Sequence, residues 1–149
     1  MKICLVSCSG GHLFQLYRLK SWWSKYDRFF VTFKKKDAIS MLKGEKVYWA
    51  YFPTTRSVKN FIRNSFLALK ILYKNKPDII ISTGAGVAVP FFYIGKLLGS
   101  KLIFIESVAR VDSPSLTGRL VYPIADKFLL PWKELKRFYP KGEVVEELL

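Results

Sequence analysis

Met1-Lys2-Ile3-Cys4-Leu5-Val6-Ser7-Cys8-Ser9-Gly10-Gly11-His12 is an apolar, strand-like run that ends in a double glycine, with a helical pattern starting directly behind it. Two adjacent glycines let the backbone turn tightly with no Cβ in the way. The next helix then points its unpaired N–H groups and the positive end of its dipole into the opening. Such a mouth suits a phosphate, a sugar hydroxyl or a developing oxyanion. His12, the single histidine of the chain, lands on the first helical turn and faces the mouth as the side chain best placed to exchange a proton there. A plainer reading of the same residues is a first strand, an ordinary turn and a histidine that caps the helix.

Outward from this stretch the apolar period switches repeatedly between strand-like and helix-like, the mark of an alternating parallel α/β unit. Residues 1–6 read as a buried first strand. Leu13, Leu16, Tyr17 and Leu19, with Trp22 and Trp23, give the first helix an apolar side that ends before Asp27. Residues 28–33 form the second strand, 38–42 a short helix, and 47–52 a third strand closed by Pro53. The longest helix runs over 57–74, with Ser57 as its cap. Its apolar positions Val58, Phe61, Ile62, Phe66, Leu69 and Leu72 recur at three and four, with Lys59, Arg63, Lys70 and Lys74 exposed between them. That pattern fits a solvated helix resting on a core, and it equally fits a basic helix lying on an anionic membrane.

Pro77-Asp78 starts a fourth strand, Ile79-Ile80-Ile81-Ser82, apolar enough to be buried on both faces of a parallel sheet. It runs into Thr83-Gly84-Ala85-Gly86, which repeats the opening arrangement of strand, glycine turn and helix. In an open parallel sheet, ligands sit beyond the carboxyl ends of the strands, so the two turns can border one cleft. Neither completes a dinucleotide fingerprint, and a Walker phosphate loop is absent. A fifth strand, 101–105, ends at Glu106-Ser107. A carboxylate at the mouth of a sheet is costly unless it binds something: it can act as a base, hold a sugar hydroxyl, or simply pair with Arg110. A polar connection then leads to a helix ending near Tyr122, a strand over 126–130, a helix from Trp132 to Phe138, and a tail over 144–149.

The 149 residues fit one domain with a proper core. Half are hydrophobic and 16% aromatic, yet the formal charge is +14. Residues 1–76 hold 16 Lys/Arg against 3 Asp/Glu, whereas 77–149 hold 9 against 8. One half therefore carries nearly all the field and should meet an anionic partner. Cys4 and Cys8 are too close in an extended segment for a disulfide, so a reducing compartment is expected, with Cys8 either structural or a reactive thiol beside His12. One histidine and two cysteines give no metal-ligand set, and no cofactor is indicated. The amino terminus is already a strand rather than a signal peptide, and the longest apolar run, 87–98, is too short to span a membrane.

Ser9-Gly10-Gly11-His12, Pro77-Asp78 with Thr83-Gly84-Ala85-Gly86 and Pro90, Ile105-Glu106-Ser107 with Arg110, Ser115-Leu116-Thr117-Gly118, and Tyr122-Pro123-Ile124-Ala125-Asp126 with Trp132 follow one another in this order. Over essentially its whole length the chain resembles the accessory, acceptor-side subunits of the two-part N-acetylglucosaminyltransferase of dolichol-linked oligosaccharide synthesis, and bacterial relatives in capsule and exopolysaccharide assembly. More distantly it is similar to the amino-terminal half of the peptidoglycan lipid II glycosyltransferase. The resemblance implies one Rossmann-like half of a split GT-B glycosyltransferase: a parallel sheet with helices on both faces, the nucleotide-sugar half lying on a separate polypeptide. On that reading the chain stops where a second lobe would begin. Gly10, Gly11 and His12, with Gly84 and Gly86, would face a lipid-pyrophosphate acceptor, and Glu106 would be the acidic position at the cleft. Ser9, Thr83 and Arg110 complete the expected acceptor- and phosphate-binding set, with His12 and Glu106 as the catalytic pair and no metal.

Two features depart from the resemblance. The eukaryotic members begin with a membrane-spanning helix that is missing here, and Leu13 stands where a hydroxyl residue often follows the histidine. The expected activity is transfer of N-acetylglucosamine or another hexose from a UDP-sugar to a lipid-linked saccharide, silent without the donor-binding subunit. The expected place is the cytoplasmic face of a membrane, held peripherally through the 57–74 helix and the Trp22-Trp23 pair. Such transfer needs a base for the accepting hydroxyl, donors for phosphate oxygens and a hold on a lipid. A competing class is a self-contained basic nucleotide- or nucleic-acid-binding α/β module, which the +14 charge suggests. Nucleic acid is the weaker expectation, since the aromatics fall at core-like spacings and no RNA or DNA motif is present.

Overall fold

The structure, a computed structural model, describes residues 1–148; Leu149, the end of the tail read from the sequence, lies outside the described residues. The chain runs β1 (Lys2–Ser7), α1 (Gly11–Tyr17), α2 (Lys20–Trp23), β2 (Asp27–Phe33), α3 (Lys36–Met41), β3 (Val47–Ala50), α4 (Val58–Asn75) and β4 (Ile79–Gly84). It continues through α5 (Ala88–Leu97), β5 (Lys101–Ile105), α6 (Leu116–Val121), β6 (Lys127–Leu130), a 3-10 turn (Lys133–Arg137), β7 (Glu143–Val144) and a closing 3-10 turn (Glu146–Leu148). The strands form one sheet in the order β3-β2-β1-β4-β5-β6-β7, and each neighbouring pair is parallel.

Alternation along the strands sorts the core into two layers. Cys4, Val6, Phe29, Val31 and Ile80 face one side, where Ala68, Ile71 and Leu72 of α4 and Phe91 and Phe92 of α5 cover them. Ile3, Leu5, Phe30 and Ile81 face the other, covered by Leu13 and Leu16 of α1, Trp23 of α2, and Ala38 and Leu42 at α3. A sheet covered on both faces explains why its central strands read as unbroken apolar runs. Each fully buried Phe, Leu or Ile contributes about 1.5–3 kcal/mol of transfer free energy.

The elements depart from the sequence expectation at three places. The first helix is broken at Leu19, because the buried Trp23 donates its indole N–H to the Leu16 carbonyl at 3.2 Å and pulls the chain into a second short helix. The third strand stops at Ala50 instead of residue 52. Asn64 of α4 accepts from Tyr51 N at 2.9 Å and donates to Tyr51 O at 3.0 Å, so its side-chain amide takes the place of a neighbouring strand. The last helix is a 3-10 turn, and a two-residue strand, β7, joins the sheet edge beyond it.

The largest correction concerns α4. Ser57 caps it as expected, accepting from Asn60 N at 3.2 Å. Of the apolar positions expected on the core, only Leu72 is buried; Val58, Phe61, Ile62, Phe66 and Leu69 are exposed, Phe66 to 70%. The face against the sheet is instead Asn60, Asn64, Ala68, Ile71, Leu72 and Asn75. A buried asparagine stripe is tolerated because backbone groups meet it: Asn60 donates to Pro53 O at 2.8 Å, Asn64 holds Tyr51, and Asn75 donates to Ile71 O at 2.9 Å. Trp23 also departs from expectation. It is fully buried, and it lies with Trp22 on the sheet face opposite α4, so the tryptophan pair cannot share a lipid-facing surface with that helix.

Candidate functional site

The chain travels outward from β1 to β2 and β3, then returns across β1 to place β4 on its other side. The gap between the carboxyl ends of β1 and β4 is therefore the switch point of the sheet, where ligands bind in this architecture. Both glycine turns lie there. The β1–β4 register slips between Val6 and Ser7, which sets Ser7 against Gly84, and Cys8 N donates to Gly84 O at 2.9 Å.

His12 is clasped to the second turn from both ends. Its Nδ1 lies 2.8 Å from Thr83 O, and Thr83 Oγ1 donates to the His12 carbonyl at 2.6 Å. A carbonyl only accepts, so Nδ1 carries the proton of this bond and the neutral ring presents Nε2 as its lone-pair nitrogen. The ring lies against Gly84: a Cβ there would meet His12 Cε1 and Nδ1 at 3.1 Å, and the φ of +108° already demands glycine. His12 is not the helix cap; that position is Gly10.

A cleft of about 840 Å³ opens above this clasp. His12, Thr83, Gly84, Gly86, Glu106 and Arg110 line it together. Ser9, Gly10 and Gly11 do not. Their turn is outside that lining and largely exposed, with Gly10 N donating to Asp37 Oδ2 at 2.7 Å, and it launches α1 so that His12 reaches the cleft.

Glu106 is 1% exposed. Its carboxylate accepts from Ser107 N at 3.0 Å, Ser115 N at 3.1 Å, Ser115 Oγ at 2.7 Å and Tyr139 Oη at 2.7 Å. Arg110 stands exposed at the lip and is not one of these partners, so the expected ion pair is replaced by neutral donors. Burial, and next the accepting, negatively charged Glu106, push the Tyr139 phenol well above its ordinary range. Ser115 Oγ also accepts from Gly118 N at 2.9 Å, capping α6, and a Cβ at Gly118 would strike Glu106 Oε2 at 2.5 Å. Glu106 thus ties β5, α6 and the segment after β6 into one piece. The loop behind it is held by Gln15, which accepts from Val108 N at 3.4 Å, and by Trp132, which donates to Val108 O at 2.8 Å.

The structure adds Lys35, Thr54 and Arg56 to the cleft, residues the sequence reading did not single out, and places Cys8 there beside His12. Lys35 follows β2 and lies 4.0 Å from the Phe52 ring centroid; Arg56 follows β3 with φ of +53°. With Arg110 after β5 they aim cationic side chains at one space from three strand ends. The signal for them was positional: each follows the carboxyl end of a strand. Cys8 Sγ accepts from Ala85 N at 3.4 Å, and burial pushes its thiol up despite backbone donors that pull it down. Among the described residues no three His, Cys, Asp or Glu side chains gather as a metal site.

Switch point, paired turns and sheet order define a parallel Rossmann-like α/β domain, the fold that forms one half of GT-B structures. The crystal structure of Acinetobacter baumannii MurG matches with a TM-score of 0.78 at 16% identity, covering 97% of this chain and 45% of that one. Methanocaldococcus jannaschii UDP-GlcNAc 2-epimerase, in complex with UDP-GlcNAc and UDP, matches at 0.76 and 12%, covering 97% and 46%. The profile of the family described as "Oligosaccharide biosynthesis protein Alg14 like" matches residues 3–148, and the chain belongs to that family. The UDP-N-acetylglucosamine transferase subunit ALG14 of Candida albicans is 40% identical over 64% of this chain and 44% of its own length. The human protein of the same name is 25% identical over 95% of this chain and 80% of its own. The chain spans 44% of the length of the Candida albicans relative and 38% of that of its Yarrowia lipolytica namesake.

Proposed function

We propose that this chain is the acceptor-side half of a two-chain inverting glycosyltransferase. It moves N-acetylglucosamine or another hexose from a UDP-sugar to a lipid-pyrophosphate-linked saccharide. The observation that carries the reading is the His12–Thr83 clasp, which fixes Nδ1 and leaves Nε2 for a hydroxyl in a cleft edged by Lys35, Arg56 and Arg110. Family membership and the names of the relatives support it.

The acceptor diphosphate lies against the three cations and the Gly84–Gly86 turn. His12 Nε2 takes the proton of the accepting hydroxyl as its oxygen bonds to the anomeric carbon, and the nucleoside diphosphate leaves with the electrons of the broken bond. Both oxygens of Glu106 already accept hydrogen bonds, so it positions the cleft loop and leaves the proton to His12.

The donor is held by a separate subunit that docks on the segment after Trp132, where Phe138 and Val144 are partly exposed. The chain sits on an anionic membrane through the outward face of α4, where Phe61, Ile62, Phe66 and Leu69 are flanked by Lys59, Arg63, Lys70 and Lys74. Among the described residues no helix is long and apolar enough to cross a membrane.

The chain alone should turn over no UDP-sugar, and adding the co-purifying donor subunit should create activity. Turnover by the pure chain overturns the two-chain reading. Phe138→Glu should weaken association; deleting the last eight residues is a poorer test, because it removes Leu148 from the core.

A further inference from the structure

A second hollow, of about 210 Å³, lies between α4 and the starts of α5 and α6. Thr54, Gly86, Leu116 and Thr117 line both it and the large cleft, so it adjoins the proposed acceptor site. Its remaining walls are Phe61, Val89, Pro90 and Leu120, with Asn64, whose amide is committed to Tyr51. No charged side chain lines it, whereas the cleft has Lys35, Arg56 and Arg110 on its edge. Thr54 and Gly86 pack closely where the two hollows meet, since a Cβ at Gly86 would meet Thr54 Oγ1 at 3.2 Å. The outer lip, Phe61, Leu116 and Leu120, is exposed and continues onto Ile62 and Phe66 of α4.

We propose that this hollow takes the hydrocarbon chain of the acceptor, the units bonded next to its diphosphate. The inference rests on the acceptor reading above and adds a tail site to it. A cationic, hydroxyl-rich cleft joined to an uncharged apolar hollow matches one ligand shape, an anionic head on a single apolar arm. The arm leaves the diphosphate over the rim that Thr54, Gly86, Leu116 and Thr117 share, lies over Val89 and Leu120, and emerges on the same face as the exposed apolar residues of α4. Head and tail are recognised together, so a diphosphate without hydrocarbon meets only half of the site.

Calorimetric titration of the full chain with inorganic diphosphate and with geranyl diphosphate tests this. Each methylene withdrawn from water contributes about fourfold in affinity, and geranyl diphosphate should bind at least about tenfold tighter than inorganic diphosphate. Leu120→Gln, on the exposed lip, and Val89→Phe, which fills the hollow, should cut that preference to about threefold or less with diphosphate binding unchanged. Phe66→Ser, on α4 outside the hollow, should keep it. Equal affinity for the two ligands in the unaltered chain overturns the tail site alone. A preference that survives both hollow variants, or that Phe66→Ser abolishes, overturns it as well by placing the hydrocarbon elsewhere. Binding of neither ligand sinks the acceptor cleft itself, and the tail site with it. Leu120→Gln decides the matter if Val89→Phe fails to fold, since Leu120 is 44% exposed.

Discussion

His12 has one ring nitrogen spoken for by Thr83 O and the other left for chemistry, while Glu106 has both oxygens engaged, so their variants should fail differently. In the reconstituted pair, His12→Ala should lower kcat by about 10²- to 10⁴-fold, the range for a lost general base, with little change in Tm. Glu106→Gln should show first in the melt. An amide offers an N–H to the Tyr139, Ser115 and Ser107 donors that now face a carboxylate, and an unsatisfied buried group costs about 1–3 kcal/mol. A Glu106→Gln protein that melts normally and has lost all turnover would return the proton to Glu106. Cys8 offers a third check. Burial raises its thiol, so the thiolate that reacts is scarce at neutral pH, and alkylation by iodoacetamide should be much slower than for free cysteine and should speed up only at higher pH. Rapid labelling at pH 7 would contradict the structural role. The opening motif was legible because glycines and a histidine announce a turn and a titratable group. The partners of Glu106 were not, because Tyr139 reaches it from 33 residues away through the packing of β6 and its following turn.

At the scale of elements, α4 separates periodicity from orientation. A repeat of three and four told that the helix is amphipathic and was silent on which side meets the sheet. The answer lay in Asn60, Asn64 and Asn75, polar side chains that are buried only because the 51–53 loop and the helix itself supply their partners. The strands were easier. Ile79-Ile80-Ile81 and Ile3-Cys4-Leu5-Val6 read as doubly covered strands, and both sit at the centre of the sheet. If the outward face of α4 meets lipid, Phe66→Glu should weaken binding to anionic vesicles by roughly ten- to a hundredfold, since burying a Phe contributes about 1.5–3 kcal/mol. Cosedimentation that is unchanged in Phe66→Glu would remove α4 from the membrane contact. The fold should tolerate the change, because Phe66 touches solvent over most of its surface.

For the molecule as a whole, residues 1–76 carry nearly all the net positive charge, which favours an anionic partner for that half. Each Lys or Arg near such a surface contributes about 1 kcal/mol, so vesicle binding should fall steeply as salt rises. Binding to RNA at physiological salt in preference to vesicles would favour the nucleic-acid alternative. The convergence of Lys35, Arg56 and Arg110 is a property of the topology: three loops far apart in sequence meet only once β4 crosses back beside β1. Asn60 and Asn64 grip the 51–53 loop from the side of α4 opposite Phe66, so about one helix diameter, roughly 10 Å, separates the outward face from the cleft wall. On the proposed membrane contact the helix would work as a gauge block. With Phe66 resting at the lipid, Arg56 and His12 would stand at a set height above the bilayer, and acceptors would be sorted by how far their first hydroxyl rises from its anchor. Head groups too short or too tall would miss the imidazole by distance alone, with no contact needed to reject them.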